Sequence, residues 1–288
     1  MAARSALAPA KVNLFLHVGP VDGEGYHPLA SLVAFADIGD RVAIAPSDQL
    51  SLAVTGDFAG GLEGAGDNLV LRALRALGGA AGIGEPPLAV TLDKRLPIAA
   101  GLGGGSSDAG AALRLARDAL GLDLDDDALA EIAAVVGADG PMCLHARTAW
   151  AEGRGDRLTP EPRVPPLPAL LINPGVPSPT GEVYRGYDAD PPAAADCPPS
   201  PPGWDIATVI EWLAGQRNDL QAPAIVRAPA IGEAMAAARS LPGARLVRMS
   251  GSGATVFALF ETPAAAAAAG RRLATNRPWW WIRSTNLG

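Results

Sequence analysis

Residues 11–18, KVNLFLHV, alternate apolar with polar or larger side chains at period two, the spacing of a strand with one buried face. A Gly/Asp-rich turn, DGEGYHPL, follows it. RVAIA from 41 and LSLAVTG from 50, separated by PSDQ, read as a strand pair, and PLAVTLDKRLP at 87–97 alternates again. Between them DNLVLRALRALGGAAG, from 67, has helical spacing and ends in glycines. Asp108 to Leu120, rich in Ala, Leu and Arg, predicts a helix stopped by Gly121. The acidic cluster at Asp125 opens another helix, where carboxylates suit the N-terminal dipole, and Gly137 ends it.

TAWAEGRGDRL predicts a strand and turn. The proline-rich TPEPRVPPLP at 159–168 has neither period, and because proline does not extend a ladder it is the expected domain junction. Beyond it come a strand (ALLINPG), an irregular exposed loop (DADPPAAADCPPSPPG), and helices around 205–214 and 230–240. ARLVRMSGSGATVFALFE is two strands joined by Gly-Ser-Gly, PAAAAAAGRRLA a helix and WWWIRST a closing strand, with the Trp279–Trp281 run alternating along it. This β, α, α, β, β, α, β order suits helices on one face of an antiparallel sheet.

The length of 288 residues allows one large or two medium domains. Hydrophobic residues at 49% against 18% charged mark a globular chain. A net charge of -7 argues against nucleic-acid or anionic-membrane partners, so any anionic ligand must be held by local features. Cys143 and Cys197 lack CxxC spacing, and the N-terminus lacks a basic segment leading into an apolar one. A cytoplasmic chain without a cysteine-based metal site is expected.

PIAAGLGGGSSDAGAALRLA, residues 97–116, concentrates glycine directly before a helix. Glycines 101, 103, 104 and 105 let backbone N–H groups approach a phosphate, and a helix starting near Ser107 aims its free N–H groups at the same place. Ser106 and Ser107 add hydroxyls for a phosphate oxygen or a Mg²⁺ ion. No Gly-Lys pair exists, which removes the P-loop, and GxGxxG fails because the sixth residue is Ser106 counted from Gly101 or Asp108 counted from Gly103. On composition alone a tight strand-to-helix connection stays open beside a phosphate site.

Four segments in order, APAKVNLFLHV with D-G-x-G-Y-H, P-x-x-A-G-L-G-G-G-S-S-D-A at 97–109, VGADGPMC and RMSGSGATVFALF, resemble the motifs of the GHMP kinase superfamily. The triple glycine before Ser-Ser and the Tyr-His pair are similar to its branch whose acceptor is a cytidine-diphosphate-linked methylerythritol in isoprenoid precursor synthesis. The resemblance implies a two-domain α/β (α+β) fold. An N-terminal ribosomal protein S5 domain 2-like nucleotide domain would span 1–160, and a C-terminal ferredoxin-like α+β domain 161–288. It implies ATP and Mg²⁺ as cofactors, a small-molecule acceptor, an active site in the cleft between the domains, and a monomer or homodimer.

By the same resemblance Asp139, otherwise a turn or cap residue, takes the proton of the acceptor hydroxyl, and Lys11, otherwise a strand-edge charge, supports it electrostatically. Asn13, two residues from Lys11 on the same strand face, orients the substrate. Pro97, Ile98, Ala99, Ala100, Gly101, Leu102, Gly103, Gly104, Gly105, Ser106 and Ser107 hold ATP. Asn68 either contacts adenine or caps a helix. Tyr26 and Tyr184 sandwich the cytosine, the His27 ring or nearby backbone reads its polar edge, and Thr180 binds ribose or phosphates. Gly251 and Gly253 form a hairpin turn that shapes the acceptor pocket. Gly140 leaves extra room beside Asp139, and His17 and His145 are structural. A kinase of the same fold for homoserine or phosphomevalonate, or a non-catalytic nucleotide-binding module, are the alternatives.

Overall fold

The computed structural model describes residues 3–62, 68–191 and 194–288. Asp67, at the expected helix start, and residues 192 and 193 of the expected loop lie outside the described residues. The chain forms two compact units, neither a single continuous stretch. The first comprises the chain up to Ala10, Ile38–Ile98 and Gly103–Ala146; the second comprises Lys11–Asp37, Ala99–Leu102 and Arg147–Gly288. Two long strands, β1 (Arg4–Val18) and β2 (Leu29–Pro46), contribute residues to both.

In the first unit β2 pairs antiparallel with β4 (Leu88–Asp93), from Arg41 opposite Asp93 to Pro46 opposite Leu88. On its other side β4 pairs in parallel with β3 (Ser51–Thr55). RVAIA and LSLAVTG are therefore not a pair, because β4 lies between them. Its alternation buries Leu88, Val90 and Leu92 in the cluster that holds Val42 and Ile44, and burial of one face decides the register. Among the described residues the unit also holds the α-helices α1 (Leu69–Ala80), α2 (Gly104–Leu120), α3 (Asp126–Val136) and α4 (Gly140–His145). Leu74 and Leu77 of α1 pack with Ala109, Ala112 and Leu113 of α2 and Leu129 of α3. Asp125 accepts the N–H of Ala128 as the N-cap of α3, which Gly137 ends as expected.

The second unit is an antiparallel sheet with helices. Its strands are β5 (Ala149–Gly153), β6 (Arg157–Pro160), β7 (Leu167–Asn173), β8 (Leu246–Met249), β9 (Val256–Leu259) and β10 (Trp281–Leu287). β10 pairs with β7, β7 with β9, and β9 with β8, while β5 pairs with both β2 and β6. The helices are α5 (Thr180–Tyr187), α6 (Ile206–Ala214), α7 (Gln221–Arg227), α8 (Pro229–Arg239) and α9 (Pro263–Asn276). Leu170, Ile172, Val256 and Phe260 meet Ile231, Met235 and Leu273 in one core cluster.

The proline-rich 159–168 stretch lies inside this unit and does extend ladders: Pro160 stands opposite Ala149 in β6, and the Pro168 carbonyl in β7 accepts the Phe260 N–H at 2.9 Å. Proline lacks only the donor, so its acceptor side can still pair. The tryptophan run does not alternate along a strand either. Only Trp281 enters β10, while Trp279 is exposed and Trp280 buried. Two short helices, α5 and α7, interrupt stretches without a clear apolar period.

Candidate active site

The glycine stretch passes from one unit into the other and back. Pro97 and Ile98 belong to the first unit, Ala99, Ala100, Gly101 and Leu102 to the second, and Gly103, Gly104, Gly105, Ser106 and Ser107 to the first again. In the second unit the Ala100 carbonyl accepts the Thr255 N–H at 3.1 Å and the Gly101 carbonyl accepts Ser250 Oγ at 2.8 Å. The Leu102 carbonyl accepts the Lys11 N–H at 2.8 Å. Gly101 has φ +72°, and a Cβ there would stand 2.3 Å from the Ser250 carbonyl oxygen, so only glycine fits. Ala99, at φ 50°, holds a left-handed conformation that costs roughly 1–2 kcal/mol in an L-residue.

The Ser250–Thr255 turn thus braces the stretch, and the same turn organises Lys11 and Asn13. Lys11 is buried, and its ammonium donates to Asn13 Oδ1 at 3.1 Å, the two side chains sharing one strand face as their spacing predicts. Asn13 donates to Ser31 Oγ at 2.8 Å, and its backbone N–H donates to Ser250 Oγ at 3.2 Å. Gly251 takes the left-handed conformation in this turn (φ +54°), and a Cβ there would lie 3.3 Å from the Gly101 carbonyl oxygen.

In the first unit α2 begins at Gly104, ahead of the expected start near Ser107. Gly103 takes the left-handed N-cap conformation (φ 61°), its carbonyl accepts the Ser107 N–H at 2.9 Å, and no side chain caps the helix. The N–H groups of Gly104, Gly105 and Ser106 therefore lie in an uncapped first turn, without intrahelical acceptors. Ser107 Oγ is buried and has no hydrogen-bond partner among the described residues. Behind this turn lies a cluster that sequence reasoning missed. Lys94 is buried and donates to Asp40 Oδ2 at 2.5 Å and Asp108 Oδ2 at 2.8 Å. Asp40 Oδ1 also accepts the N–H groups of Arg95 and Leu96, at 2.6 and 2.8 Å, which fixes the chain leaving β4. A Cβ on Gly104 would come within 3.1 Å of the Lys94 ammonium. One signal could have flagged it: Lys11 and Lys94 are the only lysines among 23 Lys and Arg residues.

Asp139 occupies the N-cap position of α4 without a capping bond from its side chain; Pro141, in the first turn, suits the helix start. Gly140 does not leave spare room, because a Cβ there would lie 2.0 Å from the Ala133 carbonyl oxygen of α3. The close approach of α4 needs glycine and leaves the backbone after Asp139 little space to shift. Cys143 Sγ reaches the Gly103 carbonyl at 3.8 Å, and Arg114 of α2 donates to the Leu144 carbonyl near the end of α4. α4 is thereby tied to the helix that carries the glycines.

The Tyr-His loop is closed by the Gly19 N–H donating to the Pro28 carbonyl at 2.8 Å and the Asp22 N–H to that of Tyr26 at 2.7 Å. Asp22 Oδ1 accepts the N–H groups of Glu24 and Tyr26, both at 2.9 Å, and the Tyr26 hydrogen bond is the main cause that holds this carboxyl below the usual range. Tyr26 is half exposed, with the Arg154 guanidinium 3.8 Å from its ring centre. The Tyr184 ring lies 4.9 Å from the His27 ring. Thr180 Oγ1 and Ser252 Oγ are 2.9 Å apart, joining α5 to the Gly-Ser-Gly turn. Asn68 is the N-cap of α1, its side-chain oxygen accepting the Val70 N–H at 2.9 Å. His17 is buried against the Asp196 carbonyl, and His145 lies in the last turn of α4.

A model described as the GHMP kinases N terminal domain matches residues 68–147, and one described as GHMP kinases C terminal matches 205–277. The fold is that of a two-domain GHMP kinase. A solved homoserine kinase from Cytophaga hutchinsonii shares the fold at 18% identity and TM-score 0.66, covering 99% of this chain and 95% of that one. A Caulobacter vibrioides protein named 4-diphosphocytidyl-2-C-methyl-D-erythritol kinase is 55% identical over 286 residues, 98% of this chain and 99% of that protein. The crystal structure of a 4-(cytidine 5'-diphospho)-2C-methyl-D-erythritol kinase superposes with TM-score 0.77 at 37% identity, covering 99% of each chain. The chain belongs to the 4-diphosphocytidyl-2-C-methyl-D-erythritol kinase family of GHMP kinases.

Proposed function

We propose that the protein transfers the γ-phosphoryl group of ATP to the 2-hydroxyl of 4-(cytidine 5'-diphospho)-2-C-methyl-D-erythritol, releasing ADP. The observation that carries the phosphoryl-transfer reading is the uncapped first turn of α2, opened by left-handed Gly103 within the glycine stretch. Backbone N–H groups and a helix dipole there favour an anion in a chain of net charge -7. The 55% identity to a kinase named for the cytidine substrate supports the choice of acceptor.

In this reading Asp139 accepts the proton of the 2-hydroxyl as that oxygen bonds to the γ-phosphorus and the bond from phosphorus to the bridging oxygen breaks, leaving ADP. The Lys11 ammonium offsets charge on the transferring group, and Asn13, held by Ser31, orients the acceptor. The stretch from Pro97 to Ser107 receives the triphosphate, with the buried, unpartnered Ser107 hydroxyl able to donate to an oxygen. The Asn68 side-chain oxygen is committed to its helix cap, so an adenine contact falls to its amide nitrogen. Tyr26 and Tyr184 stack on the base, the loop backbone at His27 reads its edge, and Thr180 faces ribose or phosphate.

Mg²⁺ supplies neutralisation of the triphosphate charge. Among the described residues no group of three His, Cys, Asp or Glu side chains could hold a metal. Such an ion keeps several waters and binds chiefly through substrate phosphates, and the Ser106 and Ser107 hydroxyls would be its protein contacts.

The test is ADP release from MgATP with the cytidine compound, homoserine or phosphomevalonate offered separately. Turnover with the cytidine compound alone is expected, and Asp139→Asn lowers kcat by roughly 10²–10⁴-fold, the range for a lost general base, while substrate still binds. Turnover with another acceptor removes the cytosine reading. ATP binding without ADP release removes catalysis altogether.

A further inference from the structure

His27 is held on every side by the second unit. Its Nδ1 lies 3.0 Å from the Gly19 carbonyl, and its Nε2 lies 3.3 Å from Asp188 Oδ1. The Tyr184 ring packs on it at 4.9 Å with the planes tilted by 32°, and the Tyr187 ring meets it edge-on at 5.6 Å and 81°. Tyr184, Tyr187 and Asp188 stand at i, i+3 and i+4 at the end of α5, the spacing that brings side chains to one helix face. Tyr187 is itself buried and donates its hydroxyl to the Val18 carbonyl, just before the loop begins. Burial pushes its phenol up to about 12, so it remains a donor.

Asp188 is the C-cap of α5, where a negative charge opposes the helix dipole. The helix gains nothing from a carboxylate there, whereas the His27 ring gains a partner. Both ring nitrogens then face acceptors that belong to the protein, and neither is left to read a base.

We propose that the last turn of α5 is a clamp on the Tyr-His loop and that Asp188 is a positioning residue: by fixing the His27 ring it sets the backbone of residues 26–27 and the Tyr26 ring for cytosine. This proposal rests on the functional reading above. It makes α5 a specificity element, since neither Asp188 nor Tyr187 needs to touch the substrate.

The experiment measures kcat and both KM values for wild type, Asp188→Ala and Asp188→Glu, and titrates each protein with CDP by calorimetry. Asp188→Ala is expected to raise KM for the cytidine substrate and the CDP dissociation constant roughly fivefold, the scale of one partly exposed charged contact. KM for ATP and kcat stay within about twofold on the same scale, and Asp188→Glu recovers most of the loss. Unchanged cytidine KM and CDP affinity in Asp188→Ala overturns the clamp while the functional reading stands. A parallel rise in KM for ATP or a fall in kcat reduces Asp188 to a structural residue and also overturns it. A wild-type protein that neither turns over the cytidine substrate nor binds CDP overturns the functional reading and the clamp together.

Discussion

Lys94 in the first unit and Arg248 in the second are both buried cations, and the two are neutralised by different means. Lys94 sits between two carboxylates, Asp40 and Asp108. Arg248 has as partners, among the described residues, three backbone carbonyls: Leu14 at 2.7 Å, Leu213 at 2.8 Å and Gln216 at 2.6 Å. Burial pulls Lys94 down, but the charges of Asp108 and Asp40 outweigh it and hold the ammonium above the usual lysine value. Burial alone pulls the Arg248 guanidinium down to about 10. Leu213 lies in the last turn of α6 and Gln216 just beyond it, so Arg248 answers the negative end of a helix and braces β1 at Leu14. The Lys94 group, by contrast, has two carboxylates for one ammonium, directly behind the turn proposed to receive phosphates.

The contrast breaks most visibly on removing each cation. Lys94→Met leaves two buried carboxylates without their partner and is expected to cost about 3–5 kcal/mol in urea unfolding. Adding Asp108→Asn to that variant restores part of the loss. A cost below about 1 kcal/mol, the scale of an exposed pair, would mean the cluster is not structurally coupled. Arg248→Met strands carbonyls rather than charges and should cost roughly 1–3 kcal/mol, with Arg248→Lys recovering only part because an ammonium lacks the planar fork.

A pH series sharpens the same comparison. Burial, and after it the charge of Asp40, push Asp108 up to about 7 in spite of Lys94. Its folded value exceeds its ordinary value of 3.8, so between pH 4 and 7 the folded state holds the extra proton. Stability from this group is therefore full at the acid end and falls as pH rises through about 7. Thermal melts of Asp108→Asn should lose that decline, and an unchanged slope would assign it elsewhere. The smallest expected effect, at a position without charge, is Ala99→Gly, which relieves the left-handed strain and raises stability by up to about 1 kcal/mol in the same assay.

Much of this was legible in the chain, and the failures have physical causes. The period-two runs became β1 and β4, and Asp125 and Gly137 bound α3 as their types predict. The Lys11–Asn13 face followed from strand geometry alone. The start of α2 was misjudged because Gly104 and Gly105 have poor helix propensity, and packing against Lys94 and Leu69 overrides it. Pro168 was read as a ladder breaker although only its donor is missing. The Lys94 cluster joins residues 40, 94 and 108, and no local pattern reports a contact across such distances. Gly140 looked like slack because the Ala133 carbonyl that fills the space belongs to a different helix.

The start of α4 bears on how such an enzyme can be lost. Asp139 stands at the head of that helix but does not cap it, and Pro141 and the docking at Gly140 belong to its neighbours. What holds the head of the helix in place is the missing side chain at Gly140, where a Cβ would meet the Ala133 carbonyl of α3. A lineage released from selection for turnover could therefore be silenced by any side chain gained at position 140 while Asp139 itself is kept, so a retained aspartate does not by itself mark a working kinase.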